Sequence, residues 1–552
     1  MTRDRDMAGN RIMRTIPAVL LLVVIICFVR PGLAAPSLPP PDLAIVDVSV
    51  IPMDEERVLA DHVVLIRGNR IIAVGPRAST PVPEGTEIIS GRGGFVIPGL
   101  IDLHVHLSDP TDFPLYLANG VTRIRNAGGL SLHMQWREDV RAGRLLGPRI
   151  HSCGPSIYDV ETEAAARELV AEQAAAGWDC IKIYDRIEPE AYVALVAAAR
   201  EHGLISSGHI PRNLTWQHML EAGPDSVDHA EEFLYSPLTG SDLPVISKRM
   251  REQGSAIIST FITYDLIGRQ VFDLGQLERR AEMAFTSPIE RRVRAARYNS
   301  YLAKFDLETV SELRRLLTTQ KRILKRLHED GVRVLVGTDA GPGMAIPGYS
   351  IHQELIHLVD AGLTPYEALL GATRHAAEYL NVGDRVGTIE PGFDADLALI
   401  MGNPLTDISN SNLLIGVVVQ GRWLSRADLT KRVRALRAIF LPEEELIAIY
   451  ESGGVTATVA HVKALLETGG PFPLRWRTIN ELAYQIRFIE DRPDDAVEVF
   501  KLATDVWPDS WRAWDSLADA LEATGDHERA GEATRHAADL KAYGSVQGAL
   551  GN

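Results

Sequence analysis

Two histidines separated by a single residue, His104 and His106, are the side chains of this sequence best suited to chemistry. The apolar run Phe95–Leu103 before them predicts a buried strand, on which alternate residues share a face. Two neutral imidazoles on one face can bind a divalent cation, and such a cation activates water. The alternative is two separate core histidines, and for an isolated His-x-His pair it would be the better interpretation.

Further potential metal ligands follow other short apolar runs, namely Lys182, His209, His229 and Asp339. Stretches rich in Ala, Leu and Glu that favour helices separate several of these runs, such as 162–176 and 189–202. Strands and helices that alternate over more than about two hundred residues predict a parallel sheet. In a (β/α)8 barrel the reactive groups gather at the carboxyl ends of the strands. A shared metal site is therefore the simplest explanation of the pattern.

An ordered set of motifs between Leu43 and Leu424 makes the sequence resemble the amidohydrolase superfamily. The motifs are Pro-Gly-Leu-Ile-Asp-Leu-His-Val-His at 98–106, Gly-Val-Thr at 120–122, Gly-Pro-Arg at 147–149, Gly-Thr-Asp-Ala-Gly at 337–341, Ala-Gly-Leu-Thr-Pro-Tyr-Glu-Ala-Leu at 361–369 and Gly-Phe-Asp-Ala-Asp-Leu at 392–397. The sequence is most similar to the branch of imidazolonepropionases and Xaa-Pro or Xaa-Arg dipeptidases with a carboxylated lysine. The resemblance implies a (β/α)8 barrel over 97–387, beside a small β-sandwich built from 43–96 and 388–424.

The resemblance also implies a centre of two zinc ions, although other divalent metals would suit the same side chains. Its ligands would be His104, His106, Lys182, His209, His229 and Asp339. The two ions could share one hydroxide, which would attack the carbonyl carbon of the substrate. Asp339 would then take the proton of the nucleophile and pass it to the leaving nitrogen.

In such dipeptidases a lysine of the fourth strand carries a carbamate that bridges the metals, and Lys182 occupies the matching position. One alternative is an ion pair with a neighbouring acid such as Asp185, and another is a mononuclear site held by the histidines. Lys182 stands between two isoleucines near a strand end, where a buried ammonium group would be costly. We therefore expect the carbamate.

The expected substrate is a small molecule with an amide bond, most simply a dipeptide or an N-acyl amino acid. A cyclic amide or a lactone is the alternative, and an inactive barrel that serves as a scaffold is a third. Tyr184, Tyr264 and His352 are candidate substrate contacts. The glycine- and histidine-rich insertion of such dipeptidases after the third strand is missing here. The helical segment 277–330 is expected to form a lid.

The region 425–552 is rich in Ala, Glu, Arg and Asp in a helical pattern. Segments 482–506 and 516–540 align at a period of about 34 residues, the length of a tetratricopeptide repeat. Two such repeats leave apolar faces uncovered, so we expect them to pack on the barrel or on a second copy of the chain. Docking of a peptide partner is the alternative.

Composition points to a large enzyme, because 46% of the 552 residues are hydrophobic. A formal net charge of −16 argues against nucleic-acid binding, and three cysteines predict no disulfide framework. In residues 1–36, four arginines precede the apolar run Ile16–Val29 and a stretch of small residues follows it, which is typical of a secretory signal peptide. We therefore expect a periplasmic or secreted enzyme, with an uncleaved membrane anchor as the alternative.

Overall fold

The computed structural model describes residues 41–235, 238–292, 307–341, 344–468 and 472–550. The segment 1–36, for which a signal peptide is predicted, lies outside these ranges. Among the helices within them, none is long and apolar enough to cross a membrane.

The strands of the described residues fall into three sheets. In chain order they are β1 (Leu43–Val50), β2 (Leu59–Arg67), β3 (Arg70–Pro76), β4 (Glu87–Pro98), β5 (Leu100–Val105), β6 (Val121–Asn126), β7 (Arg149–Ser152), β8 (Ile157–Val160), β9 (Cys180–Ile187), β10 (Ile205–Gly208), β11 (Ser226–Asp228), β12 (Ala256–Ile258), β13 (Arg333–Leu335), β14 (Leu397–Ile400), β15 (Leu414–Val419) and β16 (Arg422–Ser425). One sheet has the order β16-β15-β14-β4-β1-β2-β3, the second β13-β12-β11-β10-β9-β8 and the third β5-β6-β7.

Helices separate the parallel strands and make up the region after β16. They are α1 (Phe113–Ala118), α2 (Ser131–Arg141), α3 (Glu163–Ala175), α4 (Pro189–Glu201), α5 (Trp216–Ala222), α6 (Asp242–Gln253), α7 (Phe261–Glu278), α8 (Leu307–Glu329), α9 (Tyr349–Asp360), α10 (Pro365–Gly371), α11 (Arg374–Tyr379), α12 (Arg426–Glu467), α13 (Trp476–Phe488), α14 (Pro493–Val506), α15 (Trp511–Thr524) and α16 (His527–Leu550). Short 3-10 helices cover Pro110–Asp112, Ala230–Leu234, Ala281–Phe285 and Ile408–Asn412.

The two flanks of the parallel region join in one seven-stranded sheet. Strand β4 pairs in parallel with β1 on one side and antiparallel with β14 on the other. The two flanks therefore combine in one continuous sheet, and the β-sandwich stays a prediction. They join because the long strand β4 hydrogen-bonds to strands of both flanks.

The apolar run Phe95–Leu103, predicted as one strand, divides at Gly99. Strand β4 ends at Pro98 in the flanking sheet, and β5 begins at Leu100 in a parallel sheet. A Cβ atom at Gly99 would lie 2.1 Å from Oγ1 of Thr122. A residue without a side chain is therefore needed where the chain passes from one sheet to the other.

The two parallel sheets contact each other at two places. At the edge between β5 and β13, Leu103 N–H donates to the Val336 carbonyl at 2.9 Å, and His106 N–H donates to the Ala340 carbonyl at 2.7 Å. On the other side an isolated bridge pairs Cys153, just after β7, with Cys180 at the start of β9, the strand next to the edge strand β8. The strand ends that carry the predicted ligands are consequently brought into one neighbourhood.

Cys153 and Cys180 form a disulfide between the end of β7 and the start of β9. The expectation from the cysteine count is therefore wrong for this pair. The two residues are 27 positions apart in sequence, but neighbouring parallel strands bring their Cα atoms to 4.2 Å. Strand adjacency of this kind cannot be read from the number of cysteines.

The C-terminal region is helical, as predicted, and has a core of its own. Buried residues of α12 to α16, together with Ile289, form this core, among them Leu446, Val462, Leu482, Ile486, Phe500, Leu517 and Leu521. Helix α12 is interrupted at Gly454, which adopts a non-helical φ of 65°. The assignment of these helices to tetratricopeptide repeats stays a prediction.

Candidate active site

The structure brings His104, His106 and Asp339 together at the carboxyl ends of β5 and β13. Their ligand atoms all lie within 4.8 Å of one another. Oδ1 of Asp339 lies 3.0 Å from Nε2 of His106 and 3.5 Å from Nε2 of His104. Asp339 has a φ of 52°, in the left-handed region, which is uncommon for residues with a side chain although Asp adopts it more often than most.

The donor atoms of this group fit a divalent metal. Nε2 of His104 and Oδ1 of Asp339 are buried and have no well-formed hydrogen bond within the described part of the chain. Burial lowers the pKa of His104 to about 3, so the ring is neutral. A neutral imidazole and a carboxylate without hydrogen-bond partners are the donors that such a metal would take.

His209 and His229 lie beside this group, at the ends of β10 and β11. The ring centroid of His229 lies 4.5 Å from that of His104 and 4.7 Å from that of His209. Burial lowers the pKa of both His209 and His229. Nδ1 of His229 lies 2.8 Å from Oγ1 of Thr260, which leaves Nε2 available as a ligand atom. The four histidines predicted as ligands therefore form one cluster.

Lys182 is buried on β9, and its Nζ donates to Oδ2 of Asp228 at 2.8 Å. Nη2 of Arg125 donates to both carboxylate oxygens of Asp228 at 3.1 Å, and Oδ2 lies 3.2 Å from Nδ1 of His104. Burial lowers the pKa of Lys182, although the charge of Asp228 opposes this shift. The acid that pairs with Lys182 is thus Asp228 and not the sequence neighbour Asp185.

Glu232 is a further candidate residue of the site that the sequence analysis did not identify. Its carboxylate is buried, lies 2.7 Å from Nδ1 of His209 and accepts from the backbone N–H of Ile210 at 3.1 Å. Arg212 donates to the same carboxylate at 2.7 Å. A carboxylate on one ring nitrogen of a histidine directs the other nitrogen toward a metal. The signal was the acidic pair that follows His229 in the sequence.

The three predicted substrate contacts lie in different surroundings. Tyr184 stacks on His209 with ring centroids 4.4 Å apart and is 36% exposed, so it borders the ligand cluster. Burial and the charge of Glu231 raise the pKa of Tyr264 to about 12. His352 is buried, and its Nδ1 lies 2.9 Å from Oγ of Ser411, in the 3-10 helix that precedes β15. Tyr184 therefore lies beside the predicted ligands, whereas His352 is packed in the interior against Ser411.

Comparison with known proteins gives one consistent result. Residues 95–424 match the model of the amidohydrolase family. The imidazolonepropionase of Shewanella loihica is 23% identical over 395 residues, which cover 64% of this chain and 91% of that protein. Two solved structures are similar: a Xaa-Pro dipeptidase with bound methionine in its active site (TM-score 0.55, 20% identity, 69% of this chain and 99% of that chain) and a putative prolidase from Bifidobacterium longum (TM-score 0.56, 24% identity, 72% and 100%).

Proposed function

The chain belongs to the amidohydrolase family and is a hydrolase acting on C–N bonds, and we propose that it is a metal-dependent enzyme that cleaves dipeptides or N-acyl amino acids. The observation that carries the proposal is the convergence of His104, His106 and Asp339 within 4.8 Å. A cyclic amide related to imidazolone propionate is the second candidate substrate, because curated relatives are imidazolonepropionases.

A divalent metal held by these side chains would acidify a water molecule and polarise the carbonyl of the substrate. Asp339 is the group best placed to transfer protons, because its carboxylate lies beside the rings of both His104 and His106. Burial alone would raise the pKa of Asp339, but the interaction with His106 holds it below its usual value. At neutral pH Asp339 is therefore a carboxylate that can accept the proton of the attacking water and deliver it to the leaving nitrogen.

We further propose that the metal is zinc, that His209 and His229 hold a second ion, and that a carbamate on Lys182 bridges the two. The charge balance around Asp228 supports the carbamate. Arg125 already pairs with both oxygens of that carboxylate, so Asp228 does not need an ammonium group at Lys182. A neutral amine is the form that reacts with carbon dioxide.

The two parallel sheets are proposed to form a single (β/α)8 barrel. The support is the contact between them through the isolated bridges Val105 with Ala340 and Cys153 with Cys180. Eight parallel strands, β5, β6, β7 and β9 to β13, would then surround the ligand cluster, which lies at their carboxyl ends as in other barrels of this class.

Export to the periplasm or the medium is also proposed. The disulfide between Cys153 and Cys180 supports it, because such bonds persist in oxidising compartments and are rare in the cytosol. Amino-terminal sequencing of the protein from a periplasmic fraction tests this proposal. A mature chain that begins near position 36 is expected, and a cytosolic chain that begins at Met1 would contradict export.

The function is tested on full-length protein loaded with zinc. Elemental analysis should find two zinc ions per chain, and a screen of dipeptides, N-acyl amino acids, cyclic amides and lactones should identify the substrate class. Treatment with a chelator should abolish turnover, and added zinc should restore it. His106→Ala should lose metal and activity, whereas His202→Ala, at an exposed position after α4, should keep both. Full activity in the metal-free protein would refute the proposal.

A further inference from the structure

Three segments of the chain follow strands that end at the ligand cluster. They are the loop 107–112 after β5, the segment 279–292 after β12 and α7, and residues 344–348 after β13. The first begins directly after His106, and the third begins five residues after Asp339. Nη2 of Arg280 donates to the Met344 carbonyl at 2.6 Å, so the second and third segments contact each other. We call these three segments the rim of the ligand cluster.

Arg475, in the chain between α12 and α13, binds the loop of the rim that follows β5. Its Nη1 lies 3.2 Å from Oδ2 of Asp109 and donates to Oγ1 of Thr111 at 3.2 Å. Oδ1 of Asp109 accepts from the backbone N–H of Thr111 at 2.8 Å, which fixes a turn three residues after His106. Arg475 therefore holds the loop at its turn.

Glu443 of α12 connects Arg475 with the second segment of the rim. Its side chain is buried, and Nε of Arg475 donates to its Oε1 at 2.8 Å. Oε2 of Glu443 accepts from Oγ of Ser287 at 2.6 Å, and Oγ1 of Thr478 donates to Oε1 at 2.7 Å. Ser287 belongs to segment 279–292, which is part of the predicted lid. One arginine and one glutamate thus link the loop after β5 to the segment after α7.

The segment 279–292 also packs against the C-terminal helices at other points. Ile289 is buried in the hydrophobic core of these helices. Nε of Arg477 lies 2.7 Å from Oε1 of Glu290, whose side chain is nearly buried. The C-terminal region therefore holds this segment of the rim by apolar and by ionic contacts.

The loop after β5 lies at the open side of the ligand cluster. The side chain of His106 is 35% exposed, whereas those of His104 and Asp339 are 0% and 14% exposed. A substrate that arrives from the solvent therefore reaches the cluster on the side of His106. The loop that Arg475 holds begins at the next residue, so its position affects the space open to the substrate.

We propose that the C-terminal helices position the rim and that Arg475 is a positioning residue for substrate binding. By pairing with Asp109 and Glu443 at once, Arg475 fixes the loop after β5 relative to the segment after α7. The proposal rests on the proposed function, since it takes the ligand cluster as the place where the substrate binds.

An arginine is suited to this role because its planar guanidinium group presents its donors in fixed directions. A buried ion pair contributes little net stability, since the cost of desolvation offsets the attraction of the charges. The main effect of Arg475 is therefore on geometry. Because the contacts of Arg475 described above are not to predicted metal ligands, we expect it to affect substrate binding more than zinc content or kcat.

The test uses the full-length zinc protein and the best substrate found in the screen. Asp109→Asn removes the ion pair with Arg475, but it keeps the turn bond to Thr111 and leaves the other partner of Arg475 in place. We expect Asp109→Asn and Arg475→Gln each to raise KM at least fivefold, to change kcat less than twofold and to leave the zinc content unchanged. The double variant should raise KM no further than the stronger single variant, and Arg475→Lys should recover part of the loss. Arg529→Gln is the matched control, because Arg529 pairs with Asp526 on the exposed surface of the same region.

Hydrogen–deuterium exchange gives a readout that does not need turnover. In both single variants the amides of loop 107–112 should exchange at least fivefold faster than in the wild type, while the urea midpoint of Asp109→Asn stays the same. Unchanged exchange in Asp109→Asn would overturn the positioning of the loop. Faster exchange with an unchanged KM, or additive effects on KM, would overturn the role of Arg475 in substrate binding. If the screen finds no hydrolysis but the loop exchanges faster, the proposed function fails and the positioning of the loop stands.

Discussion

Nζ of Lys182 lies 2.8 Å from Oδ2 of Asp228, a carboxylate that Arg125 already engages through both oxygens. All three side chains are buried. Two full positive charges on one carboxylate would leave an uncompensated charge in a region of low dielectric. The arrangement is therefore more stable if the amine of Lys182 is neutral. Asp228 and Arg125 would then hold the side chain of Lys182 beside the metal ligands, and the amine would stay uncharged.

Lys182→Ala is expected to lower the zinc content from two ions per chain to one or none. Activity should fall more than about 100-fold, because even indirect partners of a metal ligand contribute 10–100-fold. Added acetate or propionate should restore part of the activity by supplying the missing carboxylate oxygens. Lys248→Ala on α6, where the side chain is exposed, is the control. Two zinc ions and full turnover in Lys182→Ala would exclude the carbamate.

Asp339→Asn is expected to reduce kcat by about 10²–10⁴-fold, the range typical of a lost proton-transfer group. The amide keeps the size of the side chain but cannot accept the proton of the attacking water. Stopped-flow or steady-state kinetics with the substrate from the screen measures the loss, and elemental analysis in parallel reports the metal content. Asp330→Asn, at the end of α8, is the control. A variant with zinc bound and kcat within tenfold of the wild type would assign the proton transfer to another group.

Glu232→Gln is expected to weaken zinc binding by 10–100-fold. The neutral amide holds the Nδ1 proton of His209 less firmly, so the ring is less well oriented toward the metal. Competition with a chromophoric chelator measures the zinc dissociation constant, and circular dichroism checks that the variant is folded. Glu221→Gln on α5, where the side chain is exposed, should leave the dissociation constant unchanged. The same constant in Glu232→Gln and the wild type would show that Glu232 only packs.

The sequence predicted those residues of the site whose type and local spacing alone indicate metal binding. His104 and His106 stand two apart on a strand, and Asp339 ends an apolar run, so their position at strand ends follows from local pattern. Asp228 and Arg125 were missed because their importance depends on which strands are neighbours. The polar residues of β6 suggest one solvent-facing side, yet every residue from Val121 to Asn126 is buried, because both faces of a parallel strand are covered.

The free energy of unfolding should depend on pH through His352. This dependence is expected if His352 is a packed core residue and not a substrate contact. Burial lowers the pKa of His352 to about 4 from the ordinary value of 6.5. Between these two values the unfolded chain binds a proton that the folded chain does not, so stability is lost as pH falls from 6.5 toward 4. The loss amounts to about 1.4 kcal/mol per pH unit, or about 2 kcal/mol between pH 6.5 and pH 5.

Urea unfolding of the wild type and His352→Gln at pH 7 and pH 5 measures this contribution. Glutamine can keep the hydrogen bond to Ser411 but does not titrate, so the free energy of unfolding of His352→Gln should change by about 2 kcal/mol less between the two pH values. KM at pH 7 should not change, because the ring contacts Ser411 and not the ligand cluster. Equal pH dependence in both proteins together with a raised KM would instead place His352 at the substrate.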